Sequence, residues 1–206
     1  SGRLMSWSDD GIMKMWDGQT GDLVRTVRHG GALNGIEELA DGRFLSWATD
    51  GTIQIWDQEH EAPLVTMSHA GIVNGVQILE DGRILSWSYD HSLRLWDGET
   101  GTPLLTHHLG DSVTGAFMLE HEQILAWAGS STYVIGASSG ERLLTLSHQD
   151  WVRDITLLPD GQILSVAGNQ VRVWRIDAAD LLAHVRALPI FRLDSTERAA
   201  FFLPGE

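Results

Sequence analysis

Apolar and polar residues alternate along short segments of this chain, and the alternation returns with a period of about forty residues. Residues 2–7, 42–47 and 82–87 are three copies of one phrase, in which Gly-Arg precedes two apolar residues and then Ser-Trp. Weaker copies occupy residues 123–127 and 161–166. Alternation over so few residues, bounded by turn residues, indicates short β-strands. The period therefore predicts a repeated unit of β-sheet.

Residues 32–67 serve as the model of one unit. Its pattern predicts strands at 33–39, 44–48, 52–56 and 63–67, with turns at the Asp-Gly pairs between the first three. Side chains alternate across a strand, so Ser46 and Trp47 must face opposite sides of the sheet. Because both faces carry large apolar groups, we expect each sheet to pack between a preceding and a following sheet. The tryptophans are then core residues, and not a platform for stacking bases or sugars.

The repeats resemble those of the WD-repeat β-propeller family, across residues 1–177. The resemblance implies an all-β propeller of four-stranded antiparallel blades. About five blades are represented, at residues 1–28, 29–68, 69–107, 108–147 and 148–177, of which the first and last are incomplete. It also implies a hydrogen-bonded tetrad of His, Ser, Asp and Trp within each blade. The matching residues are His29, Ser46, Asp50 and Trp56; His69, Ser86, Asp90 and Trp96; Ser6, Asp10 and Trp16; and His148, Ser165 and Trp174.

The fourth repeat departs from this pattern. His108 stands one place early, Ala126 replaces the serine, Ser130 replaces the aspartate, and Val134 or a neighbour replaces the tryptophan. Without the polar cross-links, we expect this blade to be the least stable of the set. The fifth repeat has a shorter turn that lacks the aspartate.

Residues 178–206 differ from the repeats. Apolar residues at helical spacing between Asp180 and Pro189, and a Ser-Thr-Glu-Arg start at Ser195, predict two short helices. We expect this tail to pack on the propeller. The ending resembles tails that follow WD repeats in large bacterial multidomain proteins, which implies that the chain is the C-terminal segment of a longer protein. Self-completion as a dimer of arcs, or a tight five-bladed ring, is the alternative.

Composition narrows the function classes. The chain has 206 residues, a formal net charge of −14, one lysine and no cysteine. Clustered cations, which nucleic acids and anionic membranes require, are missing from the sequence. Disulfides, thiolate metal sites and a cysteine nucleophile are likewise excluded. We expect no cofactor, no metal, no nucleic acid or membrane partner, and a cytoplasmic location.

A serine hydrolase is the first catalytic class to consider, because His29, Ser46 and Asp50 are the residue types of a catalytic triad. The same types return in the next repeat, each time with a tryptophan. An enzyme needs one nucleophile in one cleft, so a copy in every repeat favours a structural role. A propeller hydrolase stays the less favoured alternative. Its only residues that occur once are His107, His108 and Glu120.

Binding is the function that these arguments favour. The resemblance implies a face on which the loops between blades and the loops after the second strands gather. The predicted partner-binding residues on that face are Thr49, Ile72, Asn74, Tyr89, Trp151 and Arg153. We therefore expect a non-catalytic interaction, scaffold or sensor domain that binds a protein partner, or domains of its parent polypeptide, and regulates an effector. The alternative is an architectural element whose ring is completed by another chain or a second copy.

Overall fold

The computed structural model describes residues 2–175, in which eighteen β-strands form five sheets. Sheet 1 contains β1 (Arg3–Trp7), β2 (Ile12–Asp17) and β3 (Leu23–Arg28); sheet 2 contains β4 (Leu33–Glu38), β5 (Phe44–Ala48), β6 (Thr52–Trp56) and β7 (Val65–Ser68). Sheet 3 contains β8 (Val73–Ile78), β9 (Ile84–Ser88), β10 (Ser92–Trp96) and β11 (Pro103–His108). Sheet 4 contains β12 (Val113–Leu119), β13 (Gln123–Ala128), β14 (Ser131–Gly136) and β15 (Arg142–Ser147). Sheet 5 contains β16 (Val152–Leu157), β17 (Gln162–Ala167) and β18 (Gln170–Arg175).

The predicted numbers of strands per sheet are confirmed, as is the all-β architecture consistent with a propeller. In sheets 1 to 4 consecutive strands pair antiparallel. The predicted C-terminal helices lie outside the described residues. Within residues 2–175 no helix is long and apolar enough to span a bilayer.

The chain divides into two compact units by its internal contacts. Among the described residues, one comprises 2–155 and 166–170 and holds sheets 1 to 4; the other comprises 156–165 and 171–175. In the second unit, the described residues include the buried Ile163 and Ser165. The remaining core belongs to the first unit.

Three apolar clusters in the first unit lie between successive sheets. Met13 and Met15 of sheet 1 pack with Phe44 of sheet 2, and Leu45 of sheet 2 packs with Val73 and Ile84 of sheet 3. The third cluster joins sheets 3 and 4 in the same way. Since Phe44 and Leu45 are consecutive residues in different clusters, the expectation that each sheet packs on both faces is confirmed.

In each of sheets 2 to 4, the tryptophan of the second strand lies over a glycine of the first strand. Gly35 pairs with Trp47, Gly75 with Trp87, and Gly115 with Trp127, each next to a bulge in the first strand. A methyl group on any of these glycines would overlap the indole ring. In sheet 5, Asp154 and Val166 stand at the equivalent sequence positions, so the glycine and the tryptophan are replaced together.

We predict that Gly75→Ala destabilises the fold by about 1–3 kcal/mol, because its methyl group would force the Trp87 ring out of place. In the Trp87→Val background the same change should be nearly neutral. Urea unfolding of the two single variants and the double variant measures the coupling. An equal cost of Gly75→Ala in both backgrounds would contradict the steric explanation.

Candidate functional site

A chain of hydrogen bonds crosses sheet 2 from its third strand to its first loop. The indole of Trp56 donates to Ser46 Oγ over 2.9 Å, and Ser46 Oγ lies 2.7 Å from His29 Nδ1. On the other side of the imidazole, His29 Nε2 lies 2.7 Å from Thr52 Oγ1. The Thr52 hydroxyl donates to Asp50 Oδ1 over 2.7 Å. The tetrad implied by the resemblance is present here, with Thr52 as an additional member between histidine and aspartate.

Sheet 3 contains the same chain with a direct contact between histidine and carboxylate. Trp96 Nε1 donates to Ser86 Oγ over 2.8 Å, and Ser86 Oγ lies 2.7 Å from His69 Nε2. His69 Nδ1 is 3.2 Å from Asp90 Oδ2 and 3.1 Å from the hydroxyl of Ser92. These partners assign the proton to Nδ1, so that His69 is neutral and donates towards Asp90.

Burial sets the protonation state of this network. It lowers the pKa of His69 to about 4, although the Asp90 carboxylate opposes the shift. Burial also lowers the pKa of His29, against the influence of Asp50. At Asp90, burial acts against ionisation, but hydrogen bonds from Ser92 and from the Ala70 N–H hold its pKa well below the usual value. Both histidines are therefore neutral at pH 7.

The serines of these networks cannot act as nucleophiles in this arrangement. Ser46 and Ser86 are both 0% exposed, so a substrate cannot reach either hydroxyl without unfolding of the sheet. Each serine oxygen also accepts an indole N–H, which reduces its basicity. The network is a structural element, as the repetition in the sequence indicates.

The alternative hydrolase residues, which lie in β11 of sheet 3 and after β12 of sheet 4, are not brought together. His108 ends β11, before β12 begins, and Glu120 follows the end of β12. The seven residues of β12, about 23 Å in length, therefore lie between these two positions. His107 is half-buried, and burial lowers its pKa, assisted by the positive charge of Arg142. No group of three or more potential metal ligands occurs among residues 2–175.

In sheet 4 an apolar set occupies the place of the tetrad. The N–H of Leu109 donates to the carbonyl of His91, just as the N–H of His69 donates to that of Gly51. Leu109 therefore holds the histidine position and is buried, whereas His108, which stands one place early in the sequence, is exposed. The register of the backbone hydrogen bonds, and not the residue type, therefore determines which side chain lies inside the sheet.

The tryptophan position of sheet 4 is likewise apolar. Ile135 pairs with Ile124 as Trp56 pairs with Phe44, so Ile135, a neighbour of Val134, fills that position. Leu109, Ala126 and Ile135 belong to one core cluster. A well-packed apolar set can replace buried polar groups without loss of stability. The packing thus removes the physical reason for expecting this sheet to be the least stable.

One buried hydroxyl lies in the apolar sheet. Thr132 pairs with Trp127 as Ile53 pairs with Trp47 in sheet 2, so it stands at a core position, and it is 1% exposed. Its hydroxyl has no hydrogen-bond partner within the described part of the chain.

Sheets 1 and 5 carry parts of the network. Trp16 Nε1 donates to Ser6 Oγ over 3.0 Å in sheet 1, where both Ser6 and Asp10 are exposed. In sheet 5, Trp174 Nε1 donates to Ser165 Oγ over 2.7 Å. His148 is buried.

At the end of the sheets where the tetrads lie, a carboxylate contacts a glycine between the turn and the preceding loop. In some sheets the turn supplies the aspartate and the loop supplies the glycine, and in others the assignment is reversed. In sheet 2, Asp50 lies against Gly31 of the preceding loop, so that a methyl group on this glycine would overlap the carboxylate. In sheet 4, Asp111 of the loop lies against Gly129 of the turn. Asp150 and Gly168 repeat the second arrangement. The aspartates that the fourth and fifth turns lack are thus supplied by the loops, which sequence reasoning missed.

These loops form the surface that we call the loop rim, defined by residues 29–32, 49–51, 69–72, 89–91, 109–112, 129–130 and 148–151. Side-chain and backbone hydrogen bonds join it from one sheet to the next. Asn34 donates to the carbonyl of Val73, Asn74 to that of Thr114 over 3.0 Å, and the N–H of Val152 to the carbonyl of Gly129. The loops at this end of sheets 2 to 4 therefore lie side by side.

The predicted partner-binding residues fall on or beside the loop rim with different accessibility. Tyr89 is 45% exposed and Trp151 is 58% exposed. Thr49 and Arg153 are exposed, and Ile72 is half-buried with its carbonyl bonded to the Tyr89 N–H. The amide of Asn74 is committed to the neighbouring sheet, so we omit this residue from the proposed surface.

His91 is a rim residue that the sequence analysis did not assign to binding. It has φ 69°, in the left-handed region, where the corresponding residues Gly11 and Gly51 have φ 75° and 88°. Its side chain is exposed beside Tyr89. The signal in the sequence was a histidine that follows Asp90, where the first two repeats have Asp-Gly.

Comparisons with known proteins agree with this geometry. The model of the WD40 family, described as WD domain, G-beta repeat, matches residues 61–97 and 140–175. No curated protein matches the chain. Among solved structures, the computationally designed Ika8 protein is similar with a TM-score of 0.73 at 24% identity, over 85% of this chain and 56% of that one.

Two natural structures are similar to a comparable degree. The WD40 β-propeller domain of Doa1 has a TM-score of 0.67 at 22% identity, over 87% of this chain and 62% of that chain. A chain of the Mitotic Checkpoint Complex has a TM-score of 0.71 at 18% identity, over 85% of this chain and 61% of that chain. This chain thus spans 56–62% of the length of these structures. The repeats and the shared fold support a WD-repeat family.

We predict opposite effects of one substitution, threonine to valine, at two positions. Thr132→Val removes a buried hydroxyl that has no partner and should stabilise the fold by about 1 kcal/mol. Thr52→Val breaks the contact between His29 and Asp50 and should destabilise it by about 1–3 kcal/mol. Urea unfolding at pH 7 compares both with the wild type. Destabilisation by Thr132→Val would show that its hydroxyl is satisfied.

Acid should weaken the fold before the carboxylates titrate. His69 binds protons less readily in the folded chain, with a pKa of about 4, than in the unfolded chain, where its pKa is about 6.5. The contribution of His69 to the free energy of unfolding is therefore complete above pH 6.5. It is lost as the pH falls towards 4, at no more than about 1.4 kcal/mol per pH unit. The free energy of unfolding, measured by urea between pH 7 and 4, should fall less steeply in His69→Gln. An unchanged slope would contradict this assignment.

Proposed function

We propose that this chain is a non-catalytic interaction domain that binds a protein partner on the loop rim. WD40 propeller domains generally mediate protein–protein interaction or scaffolding, which agrees with this proposal. The observation that carries it is the exposure of Tyr89 and Trp151 on loops that the sheets hold in place. Exposed aromatic side chains on a rigid surface are frequent anchors of interfaces.

Comparison between the repeats strengthens this assignment. The position of Tyr89 is Thr49 in sheet 2 and Gly129 in sheet 4, and the position of Trp151 is Ala32, Ile72 or Ser112 in the other repeats. A residue required for packing would recur with the period, as the tetrad residues do. Because these two residues do not recur and are exposed, we infer that they serve recognition and not folding.

The strained backbone at His91 is a second support. A non-glycine residue in the left-handed region costs about 1–2 kcal/mol. The equivalent turns of sheets 1 and 2 avoid this cost with glycine. The histidine therefore brings a side chain to the rim at some expense of stability, which agrees with a role in binding.

We further propose a wider setting for this binding. The resemblance of the C-terminal sequence to tails of bacterial multidomain proteins supports a sensor role, in which partner binding on the rim regulates an effector elsewhere in a longer polypeptide. The composition, which lacks cysteine, agrees with a cytoplasmic location.

The binding surface is tested with the immobilised 206-residue chain and a lysate. Tyr89→Ala with Trp151→Ala should reduce the amount of each specifically retained protein at least tenfold, because two anchors are truncated. The matched control is Leu104→Ala with Leu143→Ala, since these outer-strand residues are 53% and 49% exposed but lie away from the rim. Both variants should unfold at the wild-type temperature. Full retention by the folded rim variant would refute the proposal.

A separate prediction concerns His91. His91→Gly should stabilise the fold by about 1 kcal/mol, because it relieves the left-handed strain, and should also weaken retention of the same proteins. His121→Gly is the matched control, since His121 has φ 59° in the turn at the opposite end of sheet 4. It should stabilise similarly without affecting retention. Equal retention by both variants would remove His91 from the binding surface.

A further inference from the structure

The loop rim carries negative charge without a balancing cation. Its residues include neither lysine nor arginine, but they include four aspartates: Asp50, Asp90, Asp111 and Asp150. Asp90 is 3.9 Å from the guanidinium of Arg94, and its side chain is only 8% exposed. The other three aspartates form no ion pair with lysine or arginine in the described part of the chain. The rim therefore has an excess of negative charge.

Two of these carboxylates are held in place by backbone groups that do not neutralise them. Asp111 accepts from the N–H of Ser112 over 2.7 Å, and Asp150 accepts from the N–H of Trp151 over 2.8 Å. Asp150 is exposed and Asp111 is half-buried. Both carboxylates are thus fixed on the rim, and both remain charged.

An exposed indole lies in the same part of the rim. The loops before β12 and β16 meet at the turn after β13, because Asp111 lies against Gly129 and the carbonyl of Gly129 accepts from the N–H of Val152. Trp151, which is 58% exposed, belongs to the second of these loops and directly follows Asp150. The face of an indole attracts ammonium and guanidinium groups, and carboxylates form strong hydrogen bonds with the same groups.

We propose that the partner segment that binds the loop rim is cationic. Its arginine or lysine side chains would pair with Asp111 and Asp150, and one of them would lie on the indole of Trp151. This inference rests on the proposed function and adds the chemistry of the partner to it. Charge complementarity of this kind raises the rate of association and excludes partners of the wrong charge.

Partners of other charge fit this surface less well. A neutral segment that covered the rim would remove Asp111 and Asp150 from water without supplying a counter-charge, which is costly. An acidic segment would be repelled. Arg153 in β16 is an exposed cation beside the rim, but it forms no ion pair within the described residues. A single arginine leaves the local excess of negative charge in place.

The probe is a fluorescent peptide of Gly-Ser-Arg repeats, and the readout is its anisotropy with the full 206-residue chain. Salt at about 150 mM screens long-range attraction to the acidic chain. We expect saturable binding with a Kd below about 1 mM, and much weaker binding of a peptide of Gly-Ser-Gln repeats. Equal binding of the two peptides, or no binding at about 1 mM peptide, would overturn the inference.

Variants of the chain locate the peptide. Asp111→Asn with Asp150→Asn should weaken binding at least tenfold, because asparagine keeps the oxygen that accepts from the backbone and removes only the charge. Trp151→Ala should weaken it about fivefold. The matched control is Glu80→Gln with Glu99→Gln, which removes the same charge from exposed residues in turns at the opposite end of sheet 3 and should have no effect. Equal weakening by the control would overturn the inference.

The lysate experiment separates a failure of this inference from a failure of the proposed function. Retention that depends on Tyr89 and Trp151 but is unchanged in Asp111→Asn with Asp150→Asn would overturn the cationic partner and leave the rim as a binding surface. Retention that is unchanged in both double variants would refute the proposed surface as well.

Discussion

The burial of both faces of each sheet is the constraint on which the remaining structure depends. Leu45 and Ile53 have 0% exposure on one face of sheet 2, and Phe44 and Trp56 have 2% and 1% on the other. Such areas of apolar surface contribute more than a single hydrogen bond, whose net value is about 0.5–1.5 kcal/mol. Sheet 4 demonstrates the order of importance, because it keeps all four strands after the polar tetrad has been replaced by apolar residues.

The tetrad then has a narrower purpose than holding the sheet together. His69 belongs to the loop before β8 and Asp90 to the turn after β9, so their contact fixes two rim segments to each other. Where the histidine is lost, Asp111 lies against Gly129 and joins the same two segments from the opposite side. The loop rim is therefore kept in position by either of two solutions. A side chain such as Tyr89 can vary on it without cost to the sheets beneath.

The sequence predicted the features that depend on alternation and period. The five sheets and their strand counts follow from spacing alone, because side-chain alternation needs no knowledge of partners. The network of Ser86 and Trp96 was also predictable, through resemblance. The role of Thr52, the cover of Gly75 by Trp87 and the exchange of Asp111 with Gly129 were not. These features depend on contacts across strands and loops. The bulges that set the register cannot be inferred from the spacing of residues in the sequence. His108 stands one residue before the buried position, as its early place in the repeat indicated.

Exposure alone does not identify a binding residue, and the three exposed aromatic side chains of residues 2–175 illustrate this. Trp7 recurs as Trp47, Trp87 and Trp127, so its exposure reflects a packing position whose partner strand is not among the described residues. Tyr89 and Trp151 have no such counterparts, and their sheets are already complete at those positions. Comparison between the repeats thus separates the two cases: Trp7 stands at a position whose equivalents are packing residues, whereas Tyr89 and Trp151 stand at positions without an aromatic equivalent. By this argument the exposure of Trp7 belongs to the packing of the repeat, and only the exposure of Tyr89 and Trp151 supports the proposed binding surface on the loop rim.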